Sequence, residues 1–287
     1  MADRLRALWD FGDLTATEQH LRDQLDLESS DDGRAEVLSQ LARIEGLRDD
    51  FERGEALIVE AEASGSSGAA RSRIDLERGR LLRSGGRPEA ALPLFESAFA
   101  AAVDAGQYFI AVDAAHMAAL AAPDHDGFMA WTQRGVELAD SHAEAHYWLG
   151  PLLNNLGWQL FDTGDLDAAL GAFERALDVR LAEPDNRLEI EVARYAVGKT
   201  LRALGRASEA IPILETAVAW AVDSGAPDGW FHEELAEEYA AVGRDIEAGQ
   251  QARLALPLLT DVDLFFRGDA ERVARLSTLA DGTATPG

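Results

Sequence analysis

A pattern of about forty residues is written twice in the middle of this chain, and it limits the fold more than any other feature. From Leu153 to Ala176 the order is Leu156-Gly157, Leu160, Gly164, Ala169, Phe173 and Ala176; from Arg194 to Ala217 it returns as Val197-Gly198, Leu201, Gly205, Ala210, Leu214 and Ala217. Small residues on one helical face, large ones on the next, and a glycine between the two runs describe a helix–turn–helix unit. Carrying the register outward gives six units. Their close-approach positions fall at Ala42, Gly79, Gly157, Gly198 and Ala236, and their turns at Asp49, Gly86, Gly164, Gly205 and Gly243. Second helices are expected to carry Ile58, Phe95, Phe173 and Leu214 as knobs, with Ala61, Ala98, Ala176, Ala217 and Ala255 as holes.

This pattern resembles the tetratricopeptide repeat, although the units run to about 37–41 residues rather than the usual thirty-four. The run Leu153-Asn154-Asn155-Leu156 is similar to the longer repeats of kinesin light chain. The resemblance implies an all-α, right-handed superhelical solenoid of about six repeats, whose concave groove binds a partner. Residues 31–260 would form the array, 1–30 and 261–280 its capping helices, and 281–287 a disordered tail. Thr15 or Thr17 is a candidate cap for the first helix. A repeat array buries its core between neighbours, so the 287 residues are read as one elongated body rather than separate domains.

The third unit breaks the pattern. Continuing the register places His116 where other units have glycine or alanine, and Phe128 where they have Ala91, Ala169 or Ala210. An imidazole does not fit a glycine-sized contact, so this unit must pack differently or slip by one residue. His116 and Met117 are therefore candidates for a pocket in the groove. Pro123 and His125 stand where a glycine turn is expected.

In the resembling family the inner wall comes from the first helix of each unit. Transferred to this chain, the wall carries Ser39 and Arg43, then Arg73, Arg80 and Arg83, then Asp113, Met117 and Leu120. It continues with Asn154, Trp158 and Phe161, then Tyr195, Lys199 and Arg202, and last Trp230, Glu233 and Glu237. The formal net charge is −26, with 26 Lys and Arg against 52 Asp and Glu. Several of these few cations thus point inward around an amide and aromatic centre, an arrangement suited to an extended, acidic peptide or protein segment. The carboxylate clamp of co-chaperones is matched only in part, because Leu76 stands where a polar residue belongs.

Strong negative charge argues against nucleic acid or an anionic membrane as partner. Cysteine is absent, which removes disulfides and thiolate chemistry. The start MADRLRALWDFGDL has no apolar run of signal-peptide length, so a cytoplasmic location is expected. Lys199 is the only lysine beside many arginines and alanines, a bias typical of GC-rich bacterial coding. His142 and His146, four apart, could share a helical face, but no further ligands are secured and no metal or cofactor is expected. Adjacent Glu233 and Glu234 diverge on a helix and are read as solvated rather than as an acid–base pair. No phosphate loop, nucleophile elbow or serine–histidine–aspartate arrangement is legible, so binding is favoured over catalysis. The alternative is a small-molecule site or enzyme using His116, Asn154, Trp158, Lys199, Arg202 and Glu233.

Overall fold

The computed structural model describes residues 3–65, 67–182 and 186–282, and among these it contains helices and no strand. A 3-10 turn at Arg6–Leu8 precedes α1 (Leu14–Leu27). Six helix pairs follow: α2 (Asp31–Leu47) with α3 (Phe51–Ser64), α4 (Gly68–Ser84) with α5 (Pro88–Asp104), and α6 (Tyr108–Ala121) with α7 (His125–Ser141). A second 3-10 turn, Ala143–Trp148, leads into α8 (Leu149–Thr163), which pairs with α9 (Leu166–Ala182). The last pairs are α10 (Arg187–Ala203) with α11 (Ala207–Asp223) and α12 (Gly229–Ala241) with α13 (Asp245–Val262), followed by α14 (Leu264–Gly268) and α15 (Ala270–Ala280). Contacts divide these helices into two compact units, Met1–Leu152 and Leu153–Gly287, each described separately below.

Within the second, fourth and fifth pairs the predicted knob meets the predicted small residue. A Cβ placed on Gly79 would come within 2.4 Å of Phe95, on Gly157 within 2.5 Å of Phe173, and on Gly198 within 2.8 Å of Leu214. Phe95, Phe173, Leu214 and Ile58 are wholly buried, as are Ala61, Ala98, Ala217 and Ala255. Each of the four large side chains contributes about 1.5–3 kcal/mol by leaving water, and the missing Cβ is what lets the helices close on Phe95, Phe173 and Leu214. The turns also match. Gly86, Gly164, Gly205 and Gly243 adopt positive φ, and Asp49 does the same at 61° without being glycine.

The third pair departs from this pattern of sizes. Where α4 and α5 oppose Gly79 to Phe95, the residues 37 positions on are His116 and a buried Thr132. The bulkier of the two residues here is on the first helix rather than the second. Gly135 leaves room for Leu152, since a Cβ there would lie 2.9 Å from that side chain. No positive φ is needed at the turn, because Ala122 is extended and Asp124 caps α7 through Gly127.

Two local expectations are corrected. Asp13, not Thr15 or Thr17, caps α1, accepting from the backbone of Thr15 and Ala16; the Thr17 hydroxyl instead bonds the backbone of Asp10. Ser39 is not on a groove wall but fully buried, donating to the Glu36 carbonyl. The tail expected at 281–287 lies mostly outside the described residues.

Candidate functional site

In the first unit the first helices of successive pairs bring charged residues into one buried network. Arg80 is paired with Glu77 at 2.6 Å and with Asp113 of the next pair. Gln40 donates to Glu77 at 3.2 Å, and Arg43 stands 3.9 Å from the same carboxylate. Burial disfavours the Arg80 charge, but Asp113 and Glu77 outweigh it and hold the guanidinium firmly protonated. Arg43 is lowered by burial and by the neighbouring Arg80 charge. Arg83 reaches the Leu120 carbonyl at 3.4 Å. Met117 is buried and shares a cavity of about 190 Å³ with Arg43 and Arg80. His116 is partly buried beside Trp148, ring centroids 5.5 Å apart. Desolvation, opposed by Asp113, pushes its imidazole down to about 4, so the ring is neutral at pH 7.

The second unit gathers most of the expected aromatic and cationic residues. Trp158 lies edge-on to Phe173 at 4.9 Å and to Phe161 at 5.7 Å, and Tyr195 is 6.4 Å away. These contacts join α8 to α9 and α10, so part of the Trp158 ring serves the core. Asn154 is partly buried with its amide 3.5 Å from Asn155 Oδ1. Lys199 Nζ sits 5.6 Å from the Tyr195 ring centre and 3.2 Å from Glu234. Arg202 Nε reaches the other oxygen of Glu234 at 2.5 Å.

Glu234 was expected to be solvated and is not. Its side chain is 3 % exposed, whereas Lys199 and Arg202 remain about a third exposed at 29 % and 32 %. Burial would raise the Glu234 pKa, but Arg202 and Lys199 overcome it and hold the carboxyl below its ordinary value. One buried negative charge therefore carries two partly exposed positive ones. Glu233 points elsewhere, pairing with Arg272 of α15 at 2.6 Å, and Glu237 pairs with Arg275. One turn beyond Glu234, Glu238 is fully buried with neither carboxylate oxygen hydrogen-bonded. Burial, then the Glu234 charge, push it up to about 8.

His142 and His146 do not share a helical face. His142 precedes the second 3-10 turn, stacked on Tyr108 at 3.5 Å, and His146 is exposed within that turn. Among the described residues no group of three or more metal-ligating side chains occurs. Sequence reasoning missed the carboxylates Glu77 and Glu234, which neutralise the inner cations. The legible signals were Glu77 one turn before Arg80 and Glu234 about one repeat after Lys199 and Arg202.

Residues 148–221, the fourth and fifth pairs, match the family model described as tetratricopeptide repeat. Repeated helix pairs closed on small residues occur on both sides of that stretch, and the chain has the all-α repeat fold of tetratricopeptide-repeat proteins. Solved structures with the same fold include apo RapI, at 15 % identity and a TM-score of 0.69, covering 93 % of this chain and 74 % of that one. BtubC (BKLC) from P. vanneervenii matches at 17 % identity and TM-score 0.60, over 78 % of this chain and 93 % of its own. The apo quorum sensor NprR from B. thuringiensis matches at 13 % identity and TM-score 0.56, over 95 % and 83 % respectively. NprR has also been solved in complex with its cognate peptide NprX. No curated protein matches the chain in sequence. No helix among the described residues is long and apolar enough to cross a membrane.

Proposed function

We propose that this protein is a peptide- or protein-binding scaffold or regulator, and that its second unit receives a segment bearing a negative charge. The observation that carries the reading is the two-to-one pairing of Lys199 and Arg202 with Glu234, beside Trp158, Phe161 and Tyr195. Because the carboxylate is buried and the cations are not, the local surface is left with about one positive charge in a chain of −26. A ligand carboxylate is drawn to that point past a repelling exterior, and the aromatic rings give its apolar neighbours a flat surface. Asn154, being both donor and acceptor, serves in this reading to bond a peptide amide. The fold likeness to NprR, solved with a peptide, supports a peptide as the ligand class. Lack of cysteine and the arginine-rich composition support a cytoplasmic, bacterial setting.

Selection from a random peptide library displayed on phage tests this. Wild-type protein should enrich peptides containing Asp or Glu next to apolar residues, with affinity that falls as salt rises. Lys199→Gln should abolish the acidic preference while Arg202 keeps Glu234 satisfied. Enrichment that ignores both salt and Lys199→Gln would remove the anionic part of the reading. Failure to enrich any peptide would remove the peptide scaffold itself.

A further inference from the structure

Glu238 occupies an interior position of the sixth pair that other pairs fill without a charge. Two residues after the close-approach residue stand Ile44, Leu81 and Thr200 in the first, second and fifth pairs, each buried, and Glu238 stands there in the sixth. Its side chain is fully buried, and neither oxygen has a hydrogen-bond partner. A carboxyl group gains nothing for packing at a place where leucine or threonine serves, and burying it without a partner is costly. What sets the position apart is its neighbour. Glu234, one turn earlier on α12, is the buried carboxylate that Lys199 and Arg202 share.

The charges around Glu238 decide what its ionisation does. From α10, Lys199 bonds one oxygen of Glu234, and Arg202 bonds both, through Nε at 2.5 Å and Nη2 at 3.2 Å. Arg202 is within electrostatic reach of Glu238 as well. From α15, Arg272 is held by Glu233 and Arg275 by Glu237. From α11, Glu215 accepts from the Tyr239 hydroxyl at 2.6 Å. On the α13 side, Arg244 pairs with Glu247, and His232 bonds Gln251. The outer arginine–glutamate pairs balance themselves. The site is left with two cations against one carboxylate when Glu238 carries a proton, and two against two when it does not.

We propose that Glu238 controls the anion site of the second unit: protonated, it leaves Lys199 and Arg202 one positive charge in excess of Glu234, and ionised, it cancels that excess and weakens the hold on a ligand carboxylate. The inference rests on the reading of Lys199 and Arg202 as that anion site, and adds that the site works below a set pH. Burial and the Glu234 charge place the change near 8. Burial raises the Tyr195 pKa, and the burial of Lys199 is outweighed by Glu234, so both groups keep their charge state across that window. A bound carboxylate in turn favours protonated Glu238, because the coupling is reciprocal.

Lys199 is the only lysine of the chain, so isotope-labelled lysine gives one side-chain NMR signal, placed in the site. That signal is followed from about pH 7 to about pH 9.5 in the wild type and in Glu238→Gln, alone and with acetyl-Phe-Glu-Phe-amide, a probe whose single carboxylate is ionised throughout. The free wild type should show a step near pH 8 that Glu238→Gln lacks, and saturating probe should move the step upward by about one unit. Affinity for the probe should fall at least about fivefold across the range in the wild type and stay within about twofold in Glu238→Gln. The uncharged acetyl-Phe-Gln-Phe-amide should show no such fall. Should Glu238→Gln not fold, Glu238→Leu, which copies Leu81, takes its place. A Lys199 signal without the step, a step that persists in the variant, or probe binding that ignores pH overturns the proposal. Absence of binding at every pH removes the anion site together with its control, whereas binding without the step removes the control alone.

Discussion

Glu238 follows Glu234 by one helical turn on α12, yet only Glu234 has cationic partners. Lys199 and Arg202 are both spent on Glu234, and Glu238 is left fully buried with no hydrogen bond to either oxygen. Its pKa is raised to about 8 by burial and by Glu234.

Protonation of Glu238 therefore couples to stability. Between its ordinary value of 4.5 and the folded value near 8, the native state holds a proton that the unfolded chain has released. Its contribution accordingly becomes less favourable as pH rises through that window. Glu238→Gln, which is neutral at every pH, should stabilise the protein by about 1 kcal/mol or more at pH 8 and by little at pH 4. Urea denaturation at the two pH values measures this, and an equal effect at both would contradict the assignment.

Glu234→Ala should destabilise more than any other carboxylate change in the second unit. It leaves Lys199 and Arg202 adjacent and without their counter-ion, and breaking a buried pair costs about 3–5 kcal/mol, reduced here because both cations are partly exposed. A fall of about 2 kcal/mol is expected in denaturant unfolding. Glu234→Gln should retain part of the stability through its remaining hydrogen bonds. The native benefit of Glu234 is present above pH 4.5 and is lost as pH falls through its depressed folded pKa.

Gly157→Ala should cost about 1–3 kcal/mol, because the new Cβ would stand 2.5 Å from the buried Phe173 ring. Phe173→Leu gives that methyl room. The double variant should be less destabilised than the sum of the single ones, a coupling read directly from a double-mutant cycle. Strict additivity would show that α8 and α9 do not close on this pair.

The reversed residue sizes at positions 116 and 132 make a paired prediction. Thr132→Phe alone forces a large ring into a buried position and should cost about 1–3 kcal/mol. His116→Gly alone leaves a cavity. Together they recreate the Gly79–Phe95 arrangement and should approach wild-type stability in thermal unfolding. His116→Gly should also remove an acid-sensitive step. The folded imidazole titrates near 4 against an ordinary 6.5, so the unfolded chain binds the proton first and stability falls as pH drops below about 6.5.

Periodicity made the repeats readable. Each large residue on a second helix needs a small one at a fixed offset on the first, so Gly79, Gly157 and Gly198 declared Phe95, Phe173 and Leu214. Turns at Gly86, Gly164, Gly205 and Gly243, and even Asp49, were legible for the same local reason. The ion pairs made by the expected wall residues were not legible. Lys199 and Glu234 are 35 residues apart, Arg80 and Asp113 are 33 apart, and Asp3 and Arg73 are 70 apart. The sequence by itself determined the helix pairs, because backbone turns and ridge-and-hole packing repeat with the helical period. Only the tertiary structure decided which cations are neutralised. Long flexible side chains choose partners across units by reach and burial, and neither has a period in the chain.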